Sequence, residues 1–553
     1  MKKTNRAVIL VGVIMAMLLS ALDQTIVATA MPQVVRELNG LSHLSWVFTA
    51  YMLAATVTLP IYGKLSDLFG RKGLFILGII IFMVGSMLSG ISQNMTQLIF
   101  FRGLQGIGAG AIMVNAFAII GDLYSPAERG RYQGLMGGVF GLATIVGPLL
   151  GGWLTDNYTW RWVFYVNIPV GIIAISILAT AMPRIVHDVK SRAIDFVGAA
   201  LITAGLVPLL LGFVWAGSEY AWGSWQIITL LIIAALALLA FGLAERKAKE
   251  PVLSLNLFQN RVFAVSTAVT FLTAASMFGA ILYITVFAQG VIGVSATNSG
   301  LILMPMMIGL IFASALSGQL ISRTGKYKVL TIIGVAIAAL AMFFFSQLSP
   351  ATTVTALRLR MVLLGLGLGV TMPVFTVVVQ SAFSTSRLGE VTAGITLFRS
   401  LGGTVGTAVL GGIMNSQLAS HLANIQNEPF VATIKQLAPS QALGNIDANA
   451  VQRLLSVQGQ TQVRDMLTQV PPALQSQLSA SFDHFLNAIK SAFSSSLDYV
   501  FIISMILMVA ALLTVFFLPE ITLRQTRHQT AAETGAEPEG DKEVTGKRRR
   551  LSQ

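Results

Sequence analysis

Gly63–Lys72 reads GKLSDLFGRK, a short charged turn between two apolar runs, Leu44–Tyr62 and Leu74–Ser92. Each run is helix-length and carries no charge. Lys64, Asp67, Arg71 and Lys72 in the turn need water or a headgroup layer, so the runs read as membrane spans and the turn as their exposed connection. A second version, GQLISRTGKYK at Gly318–Lys328, also lies between apolar runs. Gly63 matches Gly318, Leu65 matches Leu320, Gly70 matches Gly325 and Arg71 matches Lys326. Two copies about 255 residues apart predict a chain built from two related halves.

Composition agrees. Of 553 residues, 55% are hydrophobic and 11% charged, and the mean hydropathy is +0.75. A soluble domain carries about 25% charged residues, so the chain reads as an all-α polytopic membrane protein. It has no cysteine, which excludes disulfides, thiolate metal sites and cysteine nucleophiles. Its five histidines, His43, His187, His421, His484 and His528, all fall outside the apolar spans. An intramembrane histidine relay or metal centre is therefore not expected, and no cofactor is.

A helix needs about 20 apolar residues to cross roughly 30 Å of hydrocarbon. The runs predict fourteen spans: Ala7–Ala30, Leu44–Tyr62, Leu74–Ser92, Leu98–Ile120, Leu135–Leu154, Val163–Met182, Val197–Ala216, Trp225–Leu243, Val262–Gln289, Ser299–Ile321, Val329–Leu348, Met361–Phe383, Ala393–Ile413 and Tyr499–Leu518. An even number puts both termini on one side. Most of the 36 Lys and Arg residues then fall on that side, which makes it cytoplasmic. The net charge of +13 has the same cause, and the Lys547–Arg550 run is expected to be a cytoplasmic stop signal on a disordered tail rather than a nucleic-acid patch. Met1–Ala30 also resembles a signal peptide, with Ala28-Thr29-Ala30 as a cleavage site. Cleavage would remove a span and spoil the two-half symmetry, so an uncleaved first helix is expected.

The repeat extends beyond the turn. Gly106, Gly108 and Gly110 match Gly365, Gly367 and Gly369, and Gly134, Gly151 and Gly152 match Gly394, Gly411 and Gly412. The organisation expected is an N-terminal six-helix bundle (1–182), two additional central helices with their linkers (183–261), and the first five helices of a C-terminal bundle (262–414). A long, partly helical extracellular loop (415–498), the last span (499–518) and a cytoplasmic tail (519–553) follow. The loop is Gln-, Ala- and Ser-rich. It reads as short amphipathic helices resting on the outer leaflet or capping the C-terminal bundle, with a lid or guide for amphiphiles as the functional alternative.

A charge inside a bilayer costs at least ~2.5–3.5 kcal/mol, so it is a functional hypothesis by default. Of 23 acidic residues only Asp23 lies well inside a predicted span, roughly 24 Å along the first helix at 1.5 Å per residue. Arg102 reaches a similar depth on the fourth helix from the other end, so the two pair if their helices are neighbours. Burial would raise the Asp23 pKa and the arginine would lower it. Proton and cationic substrate would then compete for one carboxylate; the bland alternative is a fixed ion pair joining two helices. Arg399, near the middle of the thirteenth span, has no intramembrane acid of its own. Carbonyls, Asp23 across a cavity or an anionic part of a substrate are all open as its partner. Gly147-Pro148 followed by Gly151-Gly152 gives a helix able to bend and to be approached closely.

These residues carry a family resemblance. The chain resembles the major facilitator superfamily, in particular its fourteen-span drug:proton antiporters. GKLSDLFGRK (Gly63–Lys72) resembles the superfamily's loop between helices two and three, and LDQTIVATAMP (Leu22–Pro32) the first-helix motif of the fourteen-span branch. RGLQGIGAG (Arg102–Gly110) resembles the fourth-helix motif, GPLLGG (Gly147–Gly152) the antiporter motif of the fifth helix, and WRWVFYVNIP (Trp160–Pro169) the opening of helix six. The resemblance implies a twelve-helix rocker-switch core with two extra helices and export driven by the proton gradient. It implies that Asp23 and Arg102 serve proton coupling, and that Gly63, Asp67, Gly70 and Arg71 form a conformational switch holding the halves together in one state. Ser322 stands where the second copy would need an acid, so only the first copy makes that contact in full.

The function expected is a proton-coupled antiporter exporting amphiphilic or cationic drugs and biocides. The alternative is a dedicated exporter of a lipid, siderophore or other metabolite. No G-x-x-x-x-G-K-[ST] loop is present to supply nucleotide energy. An enzyme or sensor would need clustered His, Asp or Ser chemistry or an appended soluble domain, and a channel fits one buried acid among glycine hinges less well. Expected partners are protons, small amphiphiles and the lipid bilayer, not nucleic acid. A monomer in a bacterial inner membrane, with both termini cytoplasmic, is expected.

Overall fold

The computed structural model describes residues 6–38, 43–183, 193–217, 219–294, 296–425, 428, 430–431, 454, 457–468 and 472–521. The basic run Lys547–Arg550, His187, His528 and most of the tail lie outside the described residues.

Among the described residues fourteen helices are long and apolar enough to cross a membrane. The first six spans are α1 (Arg6–Leu38), α2 (Leu44–Phe69), α3 (Arg71–Gly90), α4 (Met95–Leu123), α5 (Pro126–Asn157), and the short α6 (Trp162–Tyr165) continued by α7 (Asn167–Ala181). Two further spans follow, α8 (Phe196–Trp215) and α9 (Trp225–Glu245). The second set is α10 (Arg261–Gly290), α11 (Ala296–Thr324), α12 (Lys328–Phe345), α13 (Val354–Ala382) and α14 (Leu388–Ile425). It is completed by α16 (Pro472–Val515), with the short α15 (Val457–Thr468) before it.

Helix breaks follow local chemistry. Gly70 ends α2 with φ +95° and Gly325 ends α11 with φ +67°, so both copies of the turn place glycine where a Cβ would be strained. Asn94 begins α4 by accepting a hydrogen bond from the Gln97 N–H at 2.9 Å.

Helices α1–α7 pack as one bundle and α10–α14 with α16 as another. The central pair α8 and α9 pack on each other, and α8 leans on both α2 and α14. It is therefore wedged against both halves.

The polar stretch 415–498 differs from a series of short helices on the leaflet. Among the described residues its flanks continue the neighbouring spans: α14 runs on to Ile425 and α16 starts at Pro472. A 44-residue helix such as α16 is about 66 Å long, twice the ~30 Å of hydrocarbon. The extension is stabilised by a core of its own. Phe430, Phe482 and Phe485 are buried, the Phe430 ring centroid lies 5.2 Å from each of the other two, and this cluster continues through Leu422 and Leu418 into the bundle. Leu474–Phe493 carries apolar residues at helical spacing, but the polar residues between them hide its continuity with the last span.

The two bundles meet at one end. Contacts between them run along α5 and α11, where Gly130 lies on Gly318 and Gly134 on Ser314, and between α2 and α14, where Gly63 lies on Gly389. Gln380 of α13 adds a bond from its Nε2 to the Phe117 carbonyl at 3.1 Å. All these residues sit on the side of the membrane that holds the Gly63–Lys72 turn. The pairs Gly63–Gly389 and Gly318–Gly130 occupy matching positions of the repeat, so the closure is a pseudo-twofold pair of glycine contacts.

Candidate functional site

Asp23, fully buried on α1, meets Arg102 and Gln105 of α4 and Asn167 of α7. Arg102 Nη1 donates to Asp23 Oδ2 at 2.5 Å and to Gln105 Oε1 at 2.7 Å. Gln105 Nε2 donates to Asp23 Oδ1 at 2.8 Å, and Asn167 Nδ2 reaches the same oxygen at 3.1 Å and Ser86 Oγ at 3.0 Å. The guanidinium lies 4.3 Å from the Tyr51 ring centroid and 5.9 Å from that of Phe164. Packing puts these groups in reach: a methyl on Gly106 would overlap the Tyr51 carbonyl, and one on Gly85 would overlap the Gln105 backbone. The small-residue spacing of Arg102–Gly110 thus lays α4 directly on α2 and α3.

The Asp23 carboxylate thus accepts hydrogen bonds from three side chains, one of them cationic. Gln105 and the face of the Tyr51 ring also hold the guanidinium. Asp23 is sealed among α1, α4 and α7. Sequence reading found the ion pair but not Gln105, Asn167, Ser86 or Tyr51. The signals available were a glutamine one helical turn after Arg102 and an asparagine beside apolar residues of the seventh helix.

The second cluster lies at the Gly63–Lys72 turn. Asp67 Oδ1 and Oδ2 accept bonds from the backbone N–H groups of Gly389 and Glu390, each at 2.8 Å. The carboxylate of one bundle thereby caps the first turn of α14 in the other, where aligned peptide dipoles favour negative charge. Arg71 lies 2.5 Å from Asp67 and donates from Nε to Asp122 Oδ2 at 2.9 Å, and it also contacts Ser66. Gly63 lets α2 approach so closely that a methyl there would overlap Ala393 and the Gly389 carbonyl. At the matching point of the repeat, α5 caps itself: the Ser125 N–H donates to Glu128 at 3.0 Å. Ser322 replaces the acid there, so the charged latch exists once.

This latch corrects the inventory of buried acids. Asp122 was missed because the fourth span was ended at Ile120; α4 runs to Leu123, and Asp122 is buried in it. Likewise the spans of the C-terminal bundle are longer than the apolar runs and take in Glu390 and Asp498. Glu390 accepts from the Ser254 N–H at 2.7 Å and pairs with Arg387 at 3.0 Å. Lys64 pairs with Glu250 at 2.6 Å, so the linker after α9 is tied to both sides of the latch.

Gly147 and Gly151 of α5 pack within the N-terminal bundle, against Thr25, Ile26 and Thr29 of α1, while Gly152 faces open space. Thr25 Oγ1 donates to the Ala143 carbonyl at 2.9 Å, five residues before Pro148. The glycines that carry the contact between bundles are instead Gly63, Gly130 and Gly134.

Arg399 stands apart. It lines a small cavity with Thr270, Thr273 and Met277 of α10 and Thr371, Met372 and Phe375 of α13. Its hydrogen bond runs from Nη2 to Thr376 Oγ1 at 3.4 Å. Among the described residues no carboxylate pairs with it, and the structure does not bring it to Asp23. Nor does any group of three or more His, Asp or Glu side chains among the described residues form a metal-sized cluster.

The chain matches the family model of the Major Facilitator Superfamily over residues 13–407. It is 39% identical to the multidrug transporter protein MdtP of Bacillus subtilis (strain 168) over 94% of each chain. It is 34% identical to multidrug resistance protein 3 of the same organism, covering 96% of this chain and 98% of the relative. Among solved structures it resembles the human organic anion transporter MFSD10, with a TM-score of 0.57 and 14% identity over 91% of this chain and 99% of that one. The proton:xylose symporter XylE aligns with a TM-score of 0.55 and 13% identity over 94% and 97%; at such identities the likeness concerns the fold. With twelve spanning helices in two bundles and two more between them among the described residues, a buried ion pair and a latch between the halves, the chain belongs to the Major Facilitator Superfamily of membrane transporters and is not an enzyme.

Proposed function

We propose that this protein is a proton-coupled antiporter that exports amphiphilic and cationic drugs or biocides by alternating access. Its proposed home is a bacterial inner membrane, as a monomer with both termini cytoplasmic. The names of the Bacillus relatives support drug efflux. The observation that carries the coupling is the sealed carboxylate–guanidinium pair of Asp23 and Arg102 deep in the N-terminal bundle.

With the termini inside, the Asp67 latch closes the cytoplasmic side and the molecule faces outward. A proton taken from outside neutralises Asp23, and Arg102 shifts onto Gln105 and Tyr51. Loss of the pair loosens α1 against α4, which favours the opposite state. There the proton leaves to the cytoplasm, Arg102 returns to Asp23, and a substrate taken from the inner side is carried out. Each inward proton charge contributes about 2.3 kcal/mol per 100 mV of membrane potential.

The test is proton release from purified protein in weakly buffered detergent on addition of ethidium and other cationic dyes, wild type beside D23N. Release in the wild type that vanishes in D23N supports the reading. Release that survives in D23N makes the pair structural and moves coupling elsewhere. No release with any dye or biocide favours the dedicated exporter of a lipid, siderophore or other metabolite.

A further inference from the structure

We propose that the Arg399 cavity is an anion-binding subsite, and that it takes the carboxylate or sulfonate of an amphiphile whose apolar body lies against Met277, Met372 and Phe375. This deepens the export reading above and rests on it for its biological meaning.

The argument begins with compensation. Arg102 has Asp23, Gln105 and an aromatic face. Arg71 has two carboxylates. Arg129 donates to the carbonyls of Gly121, Tyr124 and Gln380 at 2.6, 3.1 and 3.2 Å. Arg399, about 16 Å along α14 from Leu388, has among the described residues only the long bond to Thr376. Five guanidinium donors beside a cavity, with no acid partner, are a cation without its anion.

A second group points to the same place independently. Thr270 is buried on α10, lines the same cavity, and its Oγ1 has no hydrogen-bond partner among the described residues. A threonine in a helix ordinarily donates to a carbonyl one turn back, as Thr273 does to Val269 at 2.8 Å and Thr371 to Leu368 at 3.1 Å. Thr270 leaves its hydroxyl free where a carboxylate oxygen could accept it.

The remaining walls suit the tail of such a molecule. Leu368, Ala274, Met277, Met372 and Phe375 are apolar, and methionines adapt to varied shapes. Charge favours an anion over a cation here: a cation beside Arg399 would meet like charge in a low-dielectric site, whereas an anion cancels a charge that is otherwise costly at this depth. The two halves would then divide the work, with the proton handled at Asp23 and substrate charge read at Arg399.

The probe is 1-naphthoate, compared with neutral 1-naphthylmethanol of similar size, and binding is measured at equilibrium on the detergent-purified full chain without any gradient. Wild type is expected to bind the carboxylate at least tenfold more tightly than the alcohol. R399Q should bring the two within twofold of each other while leaving the alcohol unchanged, R399K should fall between, and T270V should weaken the carboxylate several-fold. Equal binding of both probes by wild type overturns the proposal, as does a tenfold preference that survives in R399Q. If R399Q no longer binds the alcohol and so has lost its fold, T270V decides, and full preference in T270V overturns the proposal. Because no proton gradient enters, failure here leaves antiport untouched, and proton release that survives in D23N, or is missing in the wild type, leaves this site untouched.

Discussion

Asp67 and Gly389 stand 322 residues apart in the chain, yet the Gly389 N–H donates to Asp67 Oδ1 at 2.8 Å. With the Glu390 N–H on the other oxygen, one carboxylate ties the end of α2 to the start of α14 across the gap between bundles. Asparagine at this position keeps the shape and loses the charge. Charged hydrogen bonds contribute ~1.5–3 kcal/mol against about 1 for neutral ones, and the helix dipole adds to the difference. D67N should therefore shift the closed-to-open balance by about 1–3 kcal/mol, or roughly 5- to 150-fold. The chain has no cysteine, so a single A393C reports the opening without background. Maleimide labelling at A393C should be at least fivefold faster in D67N, and an unchanged rate would refute the latch.

Steric closure and charge can be separated at Gly63. A side chain there must push away Ala393 and the Gly389 carbonyl, whereas a Cβ on Gly73 meets nothing within 4 Å. G63L should hold the two bundles apart and raise A393C labelling even with Asp67 intact. G73A should label as wild type does. If G63L stays closed, the glycine contact is incidental to the closed state.

The Asp23–Arg102 pair predicts a stability pattern that no surface ion pair would give. Removing one partner of a buried pair leaves an uncompensated charge and costs about 3–5 kcal/mol, while removing both is far milder. R102Q should accordingly lower the apparent melting temperature in detergent more than D23N/R102Q does. Additive losses in the double variant would mean that the two side chains do not share one energetic unit.

Much of this architecture was legible because it is written in hydropathy. Fourteen apolar runs, the repeated turn and matching glycines needed only composition and spacing. The ion pair was legible too, since Asp23 and Arg102 are rare residue types at that depth. What escaped was polar and local: Gln105 and Asn167 carry no charge and look ordinary in isolation, and Asp122 sits two residues beyond where a hydropathy window ends its span. The partner of Asp67 escaped for a different reason. It is backbone, Gly389 and Glu390, and a main-chain N–H leaves no mark in a sequence. The helical continuation of α16 was hidden because residues such as Asp483 and Lys490 read as loop, although they decorate a helix whose other face buries Phe482, Phe485 and Ile489.

That last feature can be tested by comparing neighbouring residues on one helix. Phe485 is fully buried against Phe430, with ring centroids 5.2 Å apart, so F485A removes a large core side chain at a cost of about 3–5 kcal/mol. His484, the next residue, is exposed and meets Glu428 at 3.1 Å in a solvent-accessible pair. Such pairs contribute about 0–1 kcal/mol, so H484A should be close to neutral. Hydrogen exchange of a peptide covering residues 476–490 reads both. F485A should speed exchange there by at least a hundredfold while α2–α4 stay protected, and H484A should leave it within a few-fold of wild type. Equal protection in F485A and wild type would mean that the extension of α16 stands without its aromatic core, as an isolated helix held only by its own backbone bonds.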